Sequence, residues 1–81
     1  MKDLLEYIVK GLASKPDEVV IHEEETDDTI NILLSVAPED MGIVIGKSGQ
    51  TIRAIRRLLV ARAIAENRNL RVNLNLQEAV K

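Results

Sequence analysis

Ile43-Val44-Ile45-Gly46-Lys47-Ser48-Gly49-Gln50-Thr51-Ile52 joins two patterns of helical period through a four-residue segment with glycine at both ends. Glycine lacks a β-carbon, so a backbone carrying it can turn sharply and come close to another group. Placed just before a helix, such a segment is expected to aim the amides of Lys47, Ser48 and Gly49 outward, where the helix dipole favours an anion. Lys47 adds a mobile positive charge and Ser48 a hydroxyl donor. Two glycines at this spacing are more often a plain inter-helix turn. Here the apolar Ile43-Val44-Ile45 before them, Ile52 three residues after Gly49, and the elements on either side give the segment its weight.

Reading outward towards the C-terminus, a helix is expected from Thr51 to Glu66, closed by Asn67-Arg68-Asn69. Leu70, Val72, Leu74 and Leu76 then alternate with polar residues as one face of a strand. Towards the N-terminus, Pro38 with Glu39 and Asp40 signals the start of a short helix that Gly46 stops. Ile30, Ile32, Leu34 and Val36 recur at period two in a strand over Thr29 to Val36, and Val19-Val20-Ile21-His22 reads as another. The polar Glu25-Thr26-Asp27-Asp28 between them suits a hairpin turn. Leu4, Leu5, Ile8, Val9 and Leu12 form the stripe of an amphipathic helix over residues 3 to 14, ended by Ser14-Lys15-Pro16-Asp17. The order is α-β-β-α-α-β. Hairpin strands pair antiparallel, and the two-helix connection is long enough for a right-handed crossover to a parallel strand. An α+β domain follows, with a three-stranded mixed sheet, helices packed on one face and a polar opposite face.

All 81 residues fit one domain, close to the size at which a core only just offsets chain entropy. The absence of cysteine excludes disulfides, thiolate metal sites and a cysteine nucleophile. Charge interrupts the N-terminal apolar residues, and no segment nears the roughly 18 apolar residues of a membrane span, so neither a signal peptide nor an anchor is expected. The net charge of −2 conceals an asymmetry. Residues 1–40 hold eleven acidic against three basic residues, and residues 41–81 hold eight basic against two acidic. Such a chain can present a basic surface to a polyanion although it is acidic overall; clustering for solubility alone weighs about equally at this point.

A helix, a glycine-flanked four-residue loop and a second helix is the arrangement of KH domains, and the order α-β-β-α-α-β resembles their type II fold. In length and in Val44-Ile45-Gly46-Lys47-Ser48-Gly49, the chain is similar to the KhpA family of small bacterial single-KH-domain RNA-binding proteins. The helix over residues 3 to 14, Pro16, Asp40, Gly42, Arg53 and Arg56 look like that family too. The lack of cysteine fits a reducing cytosol, so a cytoplasmic protein binding single-stranded RNA by the GxxG loop is expected, and the resemblance implies an RNA chaperone or post-transcriptional regulatory role. It also implies homodimers and a heterodimer with a KhpB-like KH protein. The expected RNA-binding residues are Ile45, Gly46, Lys47, Ser48, Gly49, Gln50, Arg53, Arg56 and Arg57. KH domains hold bases in a groove between the motif helices and the adjacent strand, which makes Ile43, Val44, Ile45, Ile52 and Ile55 candidates to floor it, although most are expected to serve the core first. At about 100° per residue, Arg53, Arg56 and Arg57 fall on one arc beside the loop. They could track phosphates or form an ordinary solvated face. Val60 and Ile64 share that arc without an obvious core role and suggest a protein contact. Tyr7, the only aromatic residue, argues against base binding by ring stacking and is expected to pack.

Other classes fit less well. Gly-Lys-Ser resembles part of a P-loop, but only three residues separate Gly42 from Gly46 where a Walker A loop has four, and no further βα units follow. His22 is the only histidine, and the acids from Glu23 to Asp28 suit a solvated hairpin, so no catalysis, metal site or cofactor is expected. A KH-shaped protein-interaction domain with little RNA binding is the alternative, against which the glycine loop and neighbouring arginines speak.

Overall fold

The apolar stripe at the N-terminus forms helix α1, Lys2–Leu12, in a computed structural model that describes residues 1–79. α1 ends two residues before the expected boundary because Ala13 turns extended (φ −75°, ψ 139°), ahead of a 3-10 turn at Pro16–Glu18. Strand β1, Val20–Glu25, runs three residues beyond its apolar run. Glu23, Glu24 and Glu25 stay in the ladder opposite Ile32, Asn31 and Ile30 because backbone pairing does not require apolar side chains at an edge. The turn shrinks to Thr26–Asp28, with the Thr26 amide donating to the Thr29 carbonyl at 2.8 Å.

Strand β2, Thr29–Val36, is central, antiparallel to β1 (Ile21 opposite Leu34) and parallel to β3, Arg71–Glu78 (Ile32 opposite Leu74). Ile30, Ile32, Leu34 and Val36 are buried against the helices. They share the core with Leu5 and Val9 of α1, Val44, Ile55, Leu59, Ala63 and the inward residues Val72 and Leu74 of β3. Each large aliphatic so buried contributes about 1.5–3 kcal/mol. The opposite sheet face is polar, as the alternation requires: Asn73 donates to Asn31 at 3.0 Å and Gln77 to the Ser35 hydroxyl at 2.9 Å.

The helix start read at Pro38 is instead a 3-10 turn over Pro38–Asp40, followed by helix α2, Met41–Ile45. A further 3-10 turn, Lys47–Gly49, leads into helix α3, Gln50–Ala65. α3 ends in a Schellman motif. Asn67 takes the left-handed conformation (φ 56°), its amide donates to Ile64 and the Arg68 amide to Ala63.

Asp40 is 2% exposed and ties the start of α2 to the end of α1. Its carboxylate accepts the Ser14 hydroxyl at 2.7 Å, the Ser14 amide at 2.8 Å and the Lys15 amide at 3.0 Å. These donors, Ser14 first, favour the ionised form and hold its pKa below the usual carboxylate value.

Candidate nucleic-acid interface

The loop between α2 and α3 is built from backbone conformations that side chains resist. Gly46 lies at φ 76°, ψ 174°, and a β-carbon there would fall 2.6 Å from Thr51 Cβ and 2.8 Å from the Thr51 amide. Ser48 (φ 56°, ψ 27°) and Gly49 (φ 75°, ψ 15°) follow as two consecutive left-handed residues. A β-carbon on Gly49 would meet only Arg53 Nη2, at 4.0 Å. The two glycines are therefore not equivalent: one is required by conformation and space, the other by conformation alone.

The expectation of three outward amides is corrected by one. The Gly49 amide turns inward onto the Gly46 carbonyl at 3.2 Å, closing the turn. Among the described residues, the Lys47 and Ser48 amides have no backbone acceptor. Lys47 and Ser48 are exposed, and Gln50 is the exposed first residue of α3.

The arginines divide in the same way. Arg53 donates to the Ser48 carbonyl at 2.6 Å, and Arg56 makes a long contact of 3.5 Å to the Leu74 carbonyl on β3. The side chains of Arg57 and Lys47 have no hydrogen-bond or ion-pair partner among the described residues. Further from the loop, Arg62 pairs with Glu66 at 3.2 Å and Asp3 at 3.4 Å, and Arg68 pairs with Glu25. The Glu66 hydrogen bond, then the Asp3 charge, raises the Arg62 pKa. Among the described residues, the cations with no carboxylate in contact thus include Lys47, Arg53, Arg56 and Arg57, at the loop end of α3.

The candidate groove residues do not act alike. Val44 and Ile55 are core, Ile52 is half-buried, and Ile43 and Ile45 are 51% and 36% exposed. The reading from sequence did not single out the far wall. Asn31, Arg56, Val72, Asn73, Leu74 and Asn75 line an open hollow of about 500 Å³ at the β3 edge, reaching from Arg56 of α3 to the polar face of the sheet. Strand alternation and the edge position of β3 were the available signal for it. Tyr7 is 82% exposed, contrary to the packing expected of it, and borders a hollow that also touches Lys10 and Gly11 of α1.

Two helices joined by a glycine-flanked loop on a three-stranded mixed sheet define a KH domain. The chain matches the family described as KhpA/KhpB, KH domain, over residues 2–76. It is 49% identical over 78 residues to RNA-binding protein KhpA of Chlamydia pneumoniae, covering 96% of this chain and 97% of that protein. It is 47% identical over 74 residues to RNA-binding protein KhpA of Clostridium acetobutylicum, covering 91% and 99%. The chain belongs to the KhpA/KhpB KH-domain family, which is not a family of enzymes. No solved structure gives a significant match.

Proposed function

We propose that the protein is a cytoplasmic, type II KH protein that binds single-stranded RNA, with the backbone held at Gly46-Lys47-Ser48-Gly49. The observation that carries this reading is the pairing of two amides without a backbone acceptor, at Lys47 and Ser48, with cations that no carboxylate contacts among the described residues. Phosphate oxygens accept from both kinds of donor. Ile45, Gln50 and the cleft beside Arg56 lie where the adjoining nucleotides would run, which favours unpaired strands over a duplex. The relatives' name supports RNA as the ligand. A chaperone or post-transcriptional regulatory role, together with a KhpB-like partner, completes the proposal.

The same protein is proposed to form a homodimer through α3. Leu58, Val60 and Ile64 are 51%, 38% and 69% exposed, and Ala61 and Ala65 between them are exposed and small enough for close helix approach. A KhpB-like KH domain could replace one copy on that surface.

The loop assignment is tested by replacing Lys47 and Ser48 together with aspartate. Both side chains are solvent-facing, so circular dichroism should be unchanged while RNA binding in a filter assay is lost. Unaltered affinity in a folded double variant would remove the loop from the site.

A further inference from the structure

Arg53 sits among the cations at the loop, yet its guanidinium is already engaged on the protein's own backbone. Nη2 donates to the Ser48 carbonyl at 2.6 Å, a charge-assisted bond, and lies 4.0 Å from the position of a β-carbon built on Gly49. Ser48 is the one loop residue with a side chain and a left-handed backbone, a conformation unfavourable outside glycine. The loop's internal backbone bonds are the 3.2 Å contact from Gly49 to Gly46 and the bond from the Gln50 amide to Lys47. A trans peptide sends its carbonyl and amide in opposite directions. Fixing the Ser48 carbonyl towards Arg53 therefore also fixes the Gly49 amide towards Gly46, and with it the turn in which the Lys47 and Ser48 amides have no backbone acceptor among the described residues.

We infer that Arg53 is a positioning residue of the loop and not a phosphate contact: it acts through the Ser48 carbonyl, holding the strained turn in its binding shape before RNA arrives. This rests on the proposed RNA site and assigns Arg53 a role different from that of Arg57, whose side chain has no partner among the described residues.

The two roles separate in salt dependence. A residue that meets a phosphate on a single strand contributes about 0.7 to the slope of log affinity against log salt, whereas a positioning residue alters affinity at every salt concentration alike. Arg53→Met keeps the aliphatic stem at an exposed site and removes the donor. Its thermal midpoint should match the wild type, and its affinity for an unstructured oligoribonucleotide should fall roughly three- to tenfold. Its salt slope should be unchanged, and the Lys47, Ser48 and Gly49 amide resonances of the free protein should shift and broaden. Arg57→Met should instead lower the slope by about 0.7 and leave the free loop amides in place. A slope reduced in Arg53→Met with loop amides unmoved would make Arg53 a phosphate contact, and full affinity with unmoved amides would leave it no role. If the wild type binds no RNA, the RNA reading fails, while the free-protein amide resonances still decide whether Arg53 holds the loop.

Discussion

Gly46 and Gly49 bear the same letter in the sequence but different constraints in the structure. At Gly49, alanine meets only Arg53 Nη2, at van der Waals distance, and bears only the left-handed penalty, so Gly49→Ala should destabilise by about 1 kcal/mol. At Gly46, the added β-carbon also overlaps Thr51, a contact that cannot relax without moving the first turn of α3. Gly46→Ala should cost about 2 kcal/mol or more beyond Gly49→Ala, read from urea unfolding midpoints, with loss of RNA binding. Equal costs would mean that Thr51 yields. Asp40 gives a second prediction at this scale. Its folded pKa is lowered, so its contribution to stability is complete above the unfolded value near 3.8 and is lost as pH falls through the folded value. The stability difference between wild type and Asp40→Asn should accordingly be constant from pH 7 to 5 and shrink below about pH 4. A difference that stays constant down to pH 2 would show that the carboxylate's charge is not what Ser14 and Lys15 hold.

At the scale of elements, α3 serves three surfaces at once. One side is core, through Ile55, Leu59 and Ala63; its N-terminal turns bear Arg53, Arg56 and Arg57; its C-terminal turns expose Leu58, Val60 and Ile64. Exposed aliphatic surface on a helix whose core face is already filled is best covered by a second copy. Ile64→Asp should give a monomer in sedimentation analysis at micromolar concentration, where the wild type should be a dimer. Affinity for a short RNA filling one site should be retained, and avidity for a longer one lost. A wild type that is already monomeric there, or a dimeric Ile64→Asp variant, would move the interface off α3.

For the whole molecule, the charge asymmetry becomes spatial. Asp3 and Glu66 pair with Arg62, and Glu25 with Arg68, so acids of both halves offset these two arginines, while among the described residues no carboxylate contacts Lys47, Arg53, Arg56 or Arg57. With Lys47, Arg56 and Arg57 as phosphate contacts and Arg53 withdrawn, log affinity against log salt should slope by about −2. Duplex DNA should bind poorly. A slope near zero would mean that the basic end of α3 does not face RNA.

The element order and the glycine loop were legible from sequence because they rest on local spacing: period two in Thr29–Val36, three- and four-residue spacing in α1 and α3, and glycine at both loop ends. The exposed Val60 and Ile64 were legible for the same reason, since helical projection needs only neighbours along the chain. Tertiary structure decided what depends on residues far apart in sequence. Asp40 reaches Ser14 across 26 positions, and Leu74 meets Arg56 only because β3 pairs in parallel with β2. Tyr7 lies exposed because the packed core reaches Leu5 and Val9 but not its side of α1. Arg53 is near its partner in sequence, yet its bond depends on the left-handed turn at Ser48, which carries no periodic signal. Local periodicity reports which face a residue occupies. Which groups meet, and which remain for a ligand, is set by packing between elements.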